Sequence, residues 1–233
     1  MASTRFPGKP LCDLMGKPMV QWVVEAAHRA KISDTVIVAT PDDQIRKVCE
    51  SFGAMVVMTS DQHPSGTDRL AEVSLHLDAD ILVNVQGDEP LISPETIRAC
   101  AAPLLSDPTI QMGSVFSICP QEELDNPAVV KVVTDLNGFA LYFSRYAIPY
   151  PRNPRTTTVK KHVGIYAFRR EVLQSFSGWP QSPLEITESL EQLRFLENGV
   201  AIKMSEGKGS DLAVDTPEQA EEVRRILAQR MQN

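Results

Sequence analysis

Apolar and polar positions along the chain follow two periods, and the switching between them sets out the elements. Met19, Val23, Val24 and Ala27 recur at helical spacing, which predicts an amphipathic helix over 18–30, with Pro18 suited to its first position. The short β-branched run at 35–39 reads as a buried strand. The alternation then repeats: helix 43–52 ending at Gly53, strand 54–58, helix 66–77, strand 80–85, helix 93–105, strand 113–118. Ser93, Pro94 and Glu95 give the helix at 93 a strong start, because a hydroxyl, a fixed φ and an early carboxylate all favour an N-terminus. Strands alternating with helices predict an α/β fold, a mainly parallel twisted sheet with helices on both faces.

After residue 120 the rhythm changes. Apolar runs at 129–134 and 140–143 flank Asp135, Asn137 and Gly138, the pattern of a hairpin. Residues 149–158 are rich in Pro and Arg and predict an irregular surface loop. A strand is expected at 162–168, a helix at 184–198 closed by Gly199, a strand at 201–205 and a final helix at 216–231 behind Asp215. No repeat or low-complexity linker divides the chain, so a single domain spanning 1–233 is expected. The first eleven residues lack periodicity and carry Pro7, Gly8 and Pro10, so they read as a loop. Doubly wound sheets usually place a strand ahead of such a loop, and none stands ahead of it here.

Composition narrows the function classes. With 42% hydrophobic residues in 233, a substantial core is within reach. A net charge of −7 repels a phosphate backbone, which argues against a nucleic-acid partner while leaving room for a local basic pocket. Cys12, Cys49, Cys100 and Cys119 follow no metal-ligand spacing and read as small buried hydrophobes. No apolar run has the length of a membrane span and no signal-peptide core is visible, so a cytoplasmic protein without membrane partners is expected.

The candidate chemistry is spread along the chain. Ser3, Thr4, Arg5, Gly8 and Lys9 suit a triphosphate, since hydroxyls and backbone N–H groups donate to oxygens while the cations neutralise charge; a basic tail is the plainer reading. Gln86, Gly87 and Asp88 close an apolar strand, where open α/β sheets bind ligands, and Asp88 suits Mg²⁺; the alternative is a turn. Asp215 stands in a similar place or serves as a helix cap. Ser65, Gly66, Thr67 and Arg69 open a helix whose N-terminus could hold an anion or a base edge. Arg145 follows a strand, and His162 and Tyr166 share a strand face in a basic stretch that could grip a carboxylate or simply lie at the surface. Glu191 and Gln192 fall within the helix predicted at 184–198, where polar residues usually face water.

In order, the stretches MASTRFPGKPL, VATPDD, MTSDQHPSGTDRLAEV, VNVQGDEPLI, VKVV, ALYFSR and AIPYPRN on either side of Tyr146, KHVGIYAF, ESLEQLR and VDTPE resemble the 3-deoxy-manno-octulosonate cytidylyltransferases, the CMP-KDO synthetases, over nearly the whole sequence. The resemblance implies a nucleotide-diphospho-sugar transferase fold. It implies a mainly nucleotide-binding part at 1–120 and a smaller mixed-strand part at 121–215 for sugar binding and dimerisation. It also implies CTP and the acid sugar KDO as substrates, Mg²⁺ as cofactor, a homodimer, and a place in lipopolysaccharide or capsule precursor synthesis. On matching motifs, Ser3, Arg5, Lys9, Ser65, Gly66, Thr67, Arg69 and Gln86 are expected to hold the nucleotide. Asp88 and Asp215 are expected to hold the metal, with Lys9, Asp88 and Asp215 at the chemistry. Arg145, His162, Tyr166, Glu191 and Gln192 are expected around the sugar. Two departures stand out. The family places an apolar strand and Ile-Pro-Ala-Arg ahead of the Ala2–Arg5 motif, so a fragment or a misassigned start is expected, with ladder partners lost near 36–39 and 81–85. Pro41 interrupts a segment that commonly reads Ala-Thr-Asp-Asp. An 8-amino analogue of KDO, another acid sugar, or an inactive nucleotide-binding form remain the alternatives.

Overall fold

The computed structural model describes residues 6–33, 35–63, 65–154, 156–208 and 212–232; Ser3 and Arg5 lie outside them. The chain forms two compact units, one of Met1–Leu77, Val85–Arg98 and Lys208–Asn233, the other of Asp78–Asn84 and Ala99–Gly207.

The first unit opens with a 3-10 turn at Lys9–Leu11, entered through Gly8 at φ 74°, where the absence of a Cβ allows the left-handed conformation. A small antiparallel pair follows, β1 (Asp13–Leu14) with β2 (Lys17–Pro18), and then α1 (Met19–Ala30). β3 (Ile37–Thr40) and β4 (Met55–Met58) pair in parallel around α2 (Asp43–Ser51). Asp42 caps α2 by accepting from the N–H groups of Gln44 and Ile45, so Pro41 leaves a sound helix start. Ile45 and Cys49 of α2 and Val20 and Val24 of α1 share one apolar cluster. α3 (Gly66–Ser74) completes this stretch. A second cluster gathers Leu14, Met19, Leu91, Val214, Ala220, Val223 and Leu227.

The second unit carries a mixed six-stranded sheet. Its strands are β5 (Ile81–Asn84), β6 (Met112–Ile118), β7 (Lys131–Thr134), β8 (Ala140–Ser144), β9 (Lys160–Arg169) and β10 (Ile202–Glu206), with α4 (Pro94–Ser106) leading into β6. β6 and β10 pair in parallel, and β9 runs antiparallel to β5, β6 and β7. The α/β class and helix–strand alternation are as expected. Crossover strands β5 and β6 do point the same way, but β9 lies between them and turns most neighbouring pairs antiparallel. Gly113 lets α4 approach β6 closely: a Cβ there would stand 2.6 Å from the Cys100 carbonyl oxygen.

Local differences from the sequence reading have local causes. The helix expected over 184–198 is two, α6 (Pro183–Glu188) and α7 (Gln192–Glu197), broken at Ser189, which takes φ 52°. Between β9 and these lies α5 (Arg170–Phe176), not foreseen because strand and helix abut without a turn signal. β3 has β4 as its partner and β5 has β9, with no second ladder partner for either among the described residues. The last helix is α8 (Pro217–Gln232). Cys49, Cys100 and Cys119 are buried as expected, whereas Cys12 is half-buried beside Arg224. Among the described residues, no helix is long and apolar enough to cross a membrane.

Candidate active site

In the first unit the expected catalytic trio meets. Lys9 Nζ donates to Asp88 Oδ2 at 2.6 Å and to Asp215 Oδ1 at 2.9 Å, although the residues lie 79 and 206 positions away. The backbone reinforces this convergence, because Val214 N–H donates to the Asp88 carbonyl at 2.8 Å. Gln219 Oε1 accepts from the N–H groups of Asp215 and Thr216 at the start of α8, while the Asp215 carboxylate reaches Lys9. Burial alone lowers the Lys9 pKa, but hydrogen bonds and charge from Asp88 and Asp215 outweigh it, and the ammonium is held above its ordinary value. The site is therefore two oxygen-donor carboxylates sharing one cation. That donor set fits Mg²⁺, which takes one or two protein carboxylates and fills its remaining positions with water and substrate phosphates. No cluster of three or more His, Cys, Asp or Glu ligands exists among the described residues.

The start of α3 supplies the second element. Ser65 accepts from Asp68 N–H and donates to Asp68 Oδ2 at 2.7 Å, so the first turn is fixed by its own hydroxyl. Gly66 is exposed, and a Cβ on it would lie 3.7 Å from both ends of the Gln86 amide, which places the Ser65–Arg69 turn beside Gln86. Thr67 is buried beneath. Arg69 donates to Thr59 Oγ1 at 2.5 Å and to the Ser60 carbonyl at 3.0 Å, and thus braces the loop between β4 and α3. Glu72 joins the same bracing by accepting from Ser60 N–H and pairing with His63. Those two partners hold the Glu72 carboxyl below its usual value.

The five expected sugar residues all fall in the second unit. His162 is half-buried at the residue level, but its ring is packed between Phe143 and Tyr166, with centroids at 5.0 and 5.4 Å. Burial pushes its pKa down to about 3, so the ring is neutral at physiological pH. This packing corrects the reading of a surface histidine. Ser114 donates its single hydroxyl proton to the Ile165 carbonyl at 2.8 Å and must accept from His162 Nε2 at 3.0 Å. The imidazole proton therefore sits on Nε2, and Nδ1 is left as an acceptor. Burial, followed by the Glu191 charge, holds the Tyr166 phenol well above its ordinary pKa. Gln192 is buried at the start of α7 and Glu191 is half-buried just ahead of it, a correction to the solvated-helix reading that follows from the break at Ser189.

Arg145 is held more tightly than a strand-end arginine predicts. Its Nε donates to the Glu188 carbonyl at 2.8 Å, Nη1 to the Pro127 carbonyl at 2.9 Å and Nη2 to the Ser189 carbonyl at 3.2 Å. Glu188 in turn accepts from Ser144 Oγ at 2.7 Å and from Arg145 N–H at 3.0 Å. Fully buried Lys131 donates to the carbonyls of Asn126, Val129 and Arg145 at 3.0, 2.7 and 2.6 Å. Ser114, Glu188 and Lys131 were not singled out by sequence reasoning. Only the polar position of Ser114 within an apolar strand could have signalled one of them.

This arrangement of a cation-bridged carboxylate pair beside a helix N-terminus is one that a nucleotidyltransferase can use, and the chain belongs to the cytidylyltransferase family, whose profile matches residues 1–204. It is 50% identical over 227 residues to the 3-deoxy-manno-octulosonate cytidylyltransferase of Syntrophotalea carbinolica, covering 93% of this chain and 91% of that protein. The enzyme of the same name from Escherichia coli is 44% identical over 229 residues, covering 98% and 93%. Among solved structures, a CMP:2-keto-3-deoxy-manno-octonic acid synthetase complexed with CTP superposes with a TM-score of 0.95 at 44% identity, over 98% of this chain and 95% of that one. The 4-diphosphocytidyl-2C-methyl-D-erythritol synthase of Anaerococcus prevotii shares the fold at a TM-score of 0.65 and 12% identity, over 94% of this chain and 93% of that one.

Proposed function

We propose that the protein transfers CMP from CTP to 3-deoxy-D-manno-octulosonate, releasing pyrophosphate. The convergence of Lys9, Asp88 and Asp215 carries the reading, supported by relatives of that name at 44–50% identity over nearly their full length. In the reaction the anomeric hydroxyl oxygen of the sugar bonds to the α-phosphorus, and the bond from that phosphorus to the bridging oxygen of pyrophosphate breaks. Both reactants are anions, so neutralising and positioning charge is the main task. Asp88 and Asp215 would hold Mg²⁺, which when bound would supply charge neutralisation on the triphosphate. Lys9, kept protonated by the two carboxylates, adds a fixed positive charge. Ser65 to Arg69 and Gln86 form the cytidine side. Neutral His162, with Tyr166, Glu191 and Gln192, forms the sugar side, and Arg145 orders the backbone around Glu188 and Ser189. We place the enzyme in the cytoplasm, in lipopolysaccharide or capsule precursor synthesis, and as a homodimer. Exposed Leu141, Tyr146, Tyr150 and Ile186 in the second unit support self-association.

The test is incubation with CTP, Mg²⁺ and KDO, with mass detection of CMP-KDO and stoichiometric pyrophosphate. An 8-amino analogue and a sialic-acid-like sugar, run in parallel, decide the sugar. The absence of any CMP-sugar product would end the proposal.

A further inference from the structure

β5 runs through Ile81, Leu82 and Val83 and then ends on an amide, Asn84. Asn84 stands opposite Tyr166 of β9, and Tyr166 stands opposite Ser114 of β6. Directly opposed residues in antiparallel ladders project to one face, so the three form a transverse polar row. The adjacent row on that face, Leu82, Phe168 and Met112, is apolar. Ser114 and His162 satisfy one another. Asn84 Nδ2 is buried and has no hydrogen-bond partner among the described residues, although Asn84 as a whole is only half-buried. An orphaned buried donor carries a desolvation penalty that a leucine at the end of this apolar strand would avoid, and folded proteins rarely keep one without a use. Its neighbours indicate the use. Tyr166 brings a phenol, Glu191 lies close enough to act on it, and His162 presents Nδ1 as an acceptor. That is a surface for a ligand rich in hydroxyls and carrying acceptor oxygens.

We infer that Asn84 is a specificity-determining residue whose Nδ2 donates to an oxygen of the acid sugar. The inference rests on the proposed function and gives a role to a residue that the site assignment left without one. The donor is kept unpaired in the free protein and is satisfied when the sugar arrives, so the binding step recovers what the fold gave up.

Asn84→Leu keeps the branched heavy-atom skeleton and removes the amide. The expected result is an unfolding midpoint equal to or above that of the unaltered protein, an unchanged KM for CTP, and a KM for KDO raised about tenfold or more, the loss expected when one buried hydrogen bond is missing. Asn84→Asp, which replaces the donor with an acceptor, decides the same question if the leucine variant folds poorly, and should lose sugar affinity at least as far. If the amide merely anchors a structural water, both variants melt earlier and keep the original KM for KDO, and the inference is overturned. Turnover by the unaltered protein with no change of sugar KM in either variant sinks this contact alone. No turnover by the unaltered protein sinks the proposed function and this inference with it.

Discussion

Lys9 lies between two carboxylates that would otherwise repel one another, and the arrangement is strong because all three side chains are partly shielded from water. Lys9→Met is expected to lower kcat/KM by about 10² or more, the loss typical of removing one group aimed at developing charge, with the circular dichroism spectrum preserved. Asp88→Asn should abolish pyrophosphate release while the protein still melts cooperatively. A different pair, Glu185 and Arg194, is structural. Arg194 meets both carboxylate oxygens at 2.5 and 2.7 Å, stacks 4.0 Å over Phe176, and both side chains are 6% exposed. Removing one partner leaves a buried charge, so Arg194→Met should cost about 3–5 kcal/mol in denaturant unfolding. His162 gives the pH signature. Its folded pKa, about 3, lies below the unfolded value, so the unfolded chain binds the extra proton. That contribution is complete above about pH 6.5 and is lost progressively as pH falls towards 3. Replacing His162 with Gln should flatten the fall in unfolding midpoint between pH 6.5 and 4 relative to the unaltered protein. Some of these residues were legible in the sequence and others were not. Asp88 and Asp215 sit at element ends, where ligand groups are expected. Glu188 and Lys131 act through backbone atoms whose neighbours only the strand register reveals.

Helices and strands were mostly legible because their periods are local. Their directions were not. β5, α4 and β6 read as a crossover and are one, but no pattern in residues 160–169 announces that β9 inserts between the two strands. The break at Ser189 was invisible for a related reason. Ser189 is neither Gly nor Pro, and its left-handed turn is held by contacts from afar, including Arg145 Nη2 on its carbonyl. Gly113 shows the reverse, a single residue that determines how closely two elements pack. In Gly113→Ala the new Cβ would meet Cys100 O at 2.6 Å and Leu104 Cδ1 at 2.9 Å, so α4 or β6 must shift. The expected loss is about 1–3 kcal/mol, read from the denaturant midpoint at unchanged slope.

At the scale of the whole chain, two compact units interleave in sequence, and the segments that return to the first unit, Val85–Arg98 and Lys208–Asn233, bring Asp88 and Asp215 to Lys9. This is why no contiguous stretch contains the trio and why its order along the chain, rather than any one motif, made it readable. Ligands that bind only the folded state raise its stability, and the gain grows with the logarithm of ligand concentration above Kd. CTP with Mg²⁺ is expected to raise the melting temperature, and chelating the metal should remove most of that shift; a shift of equal size without metal would count against the carboxylate pair as its ligands.

Lys131 has no exposed surface, its ammonium is spent on three carbonyl oxygens, and burial lowers its pKa. An amine-acylating reagent can reach it only when the chain opens. In timed labelling followed by peptide mass spectrometry, exposed lysines such as Lys47 should be modified first, while Lys131 should acquire label slowly, at the opening rate when the reagent is concentrated enough to outpace reclosing. The side chain thus serves as a built-in clock for opening of the second unit, one that needs no engineered label.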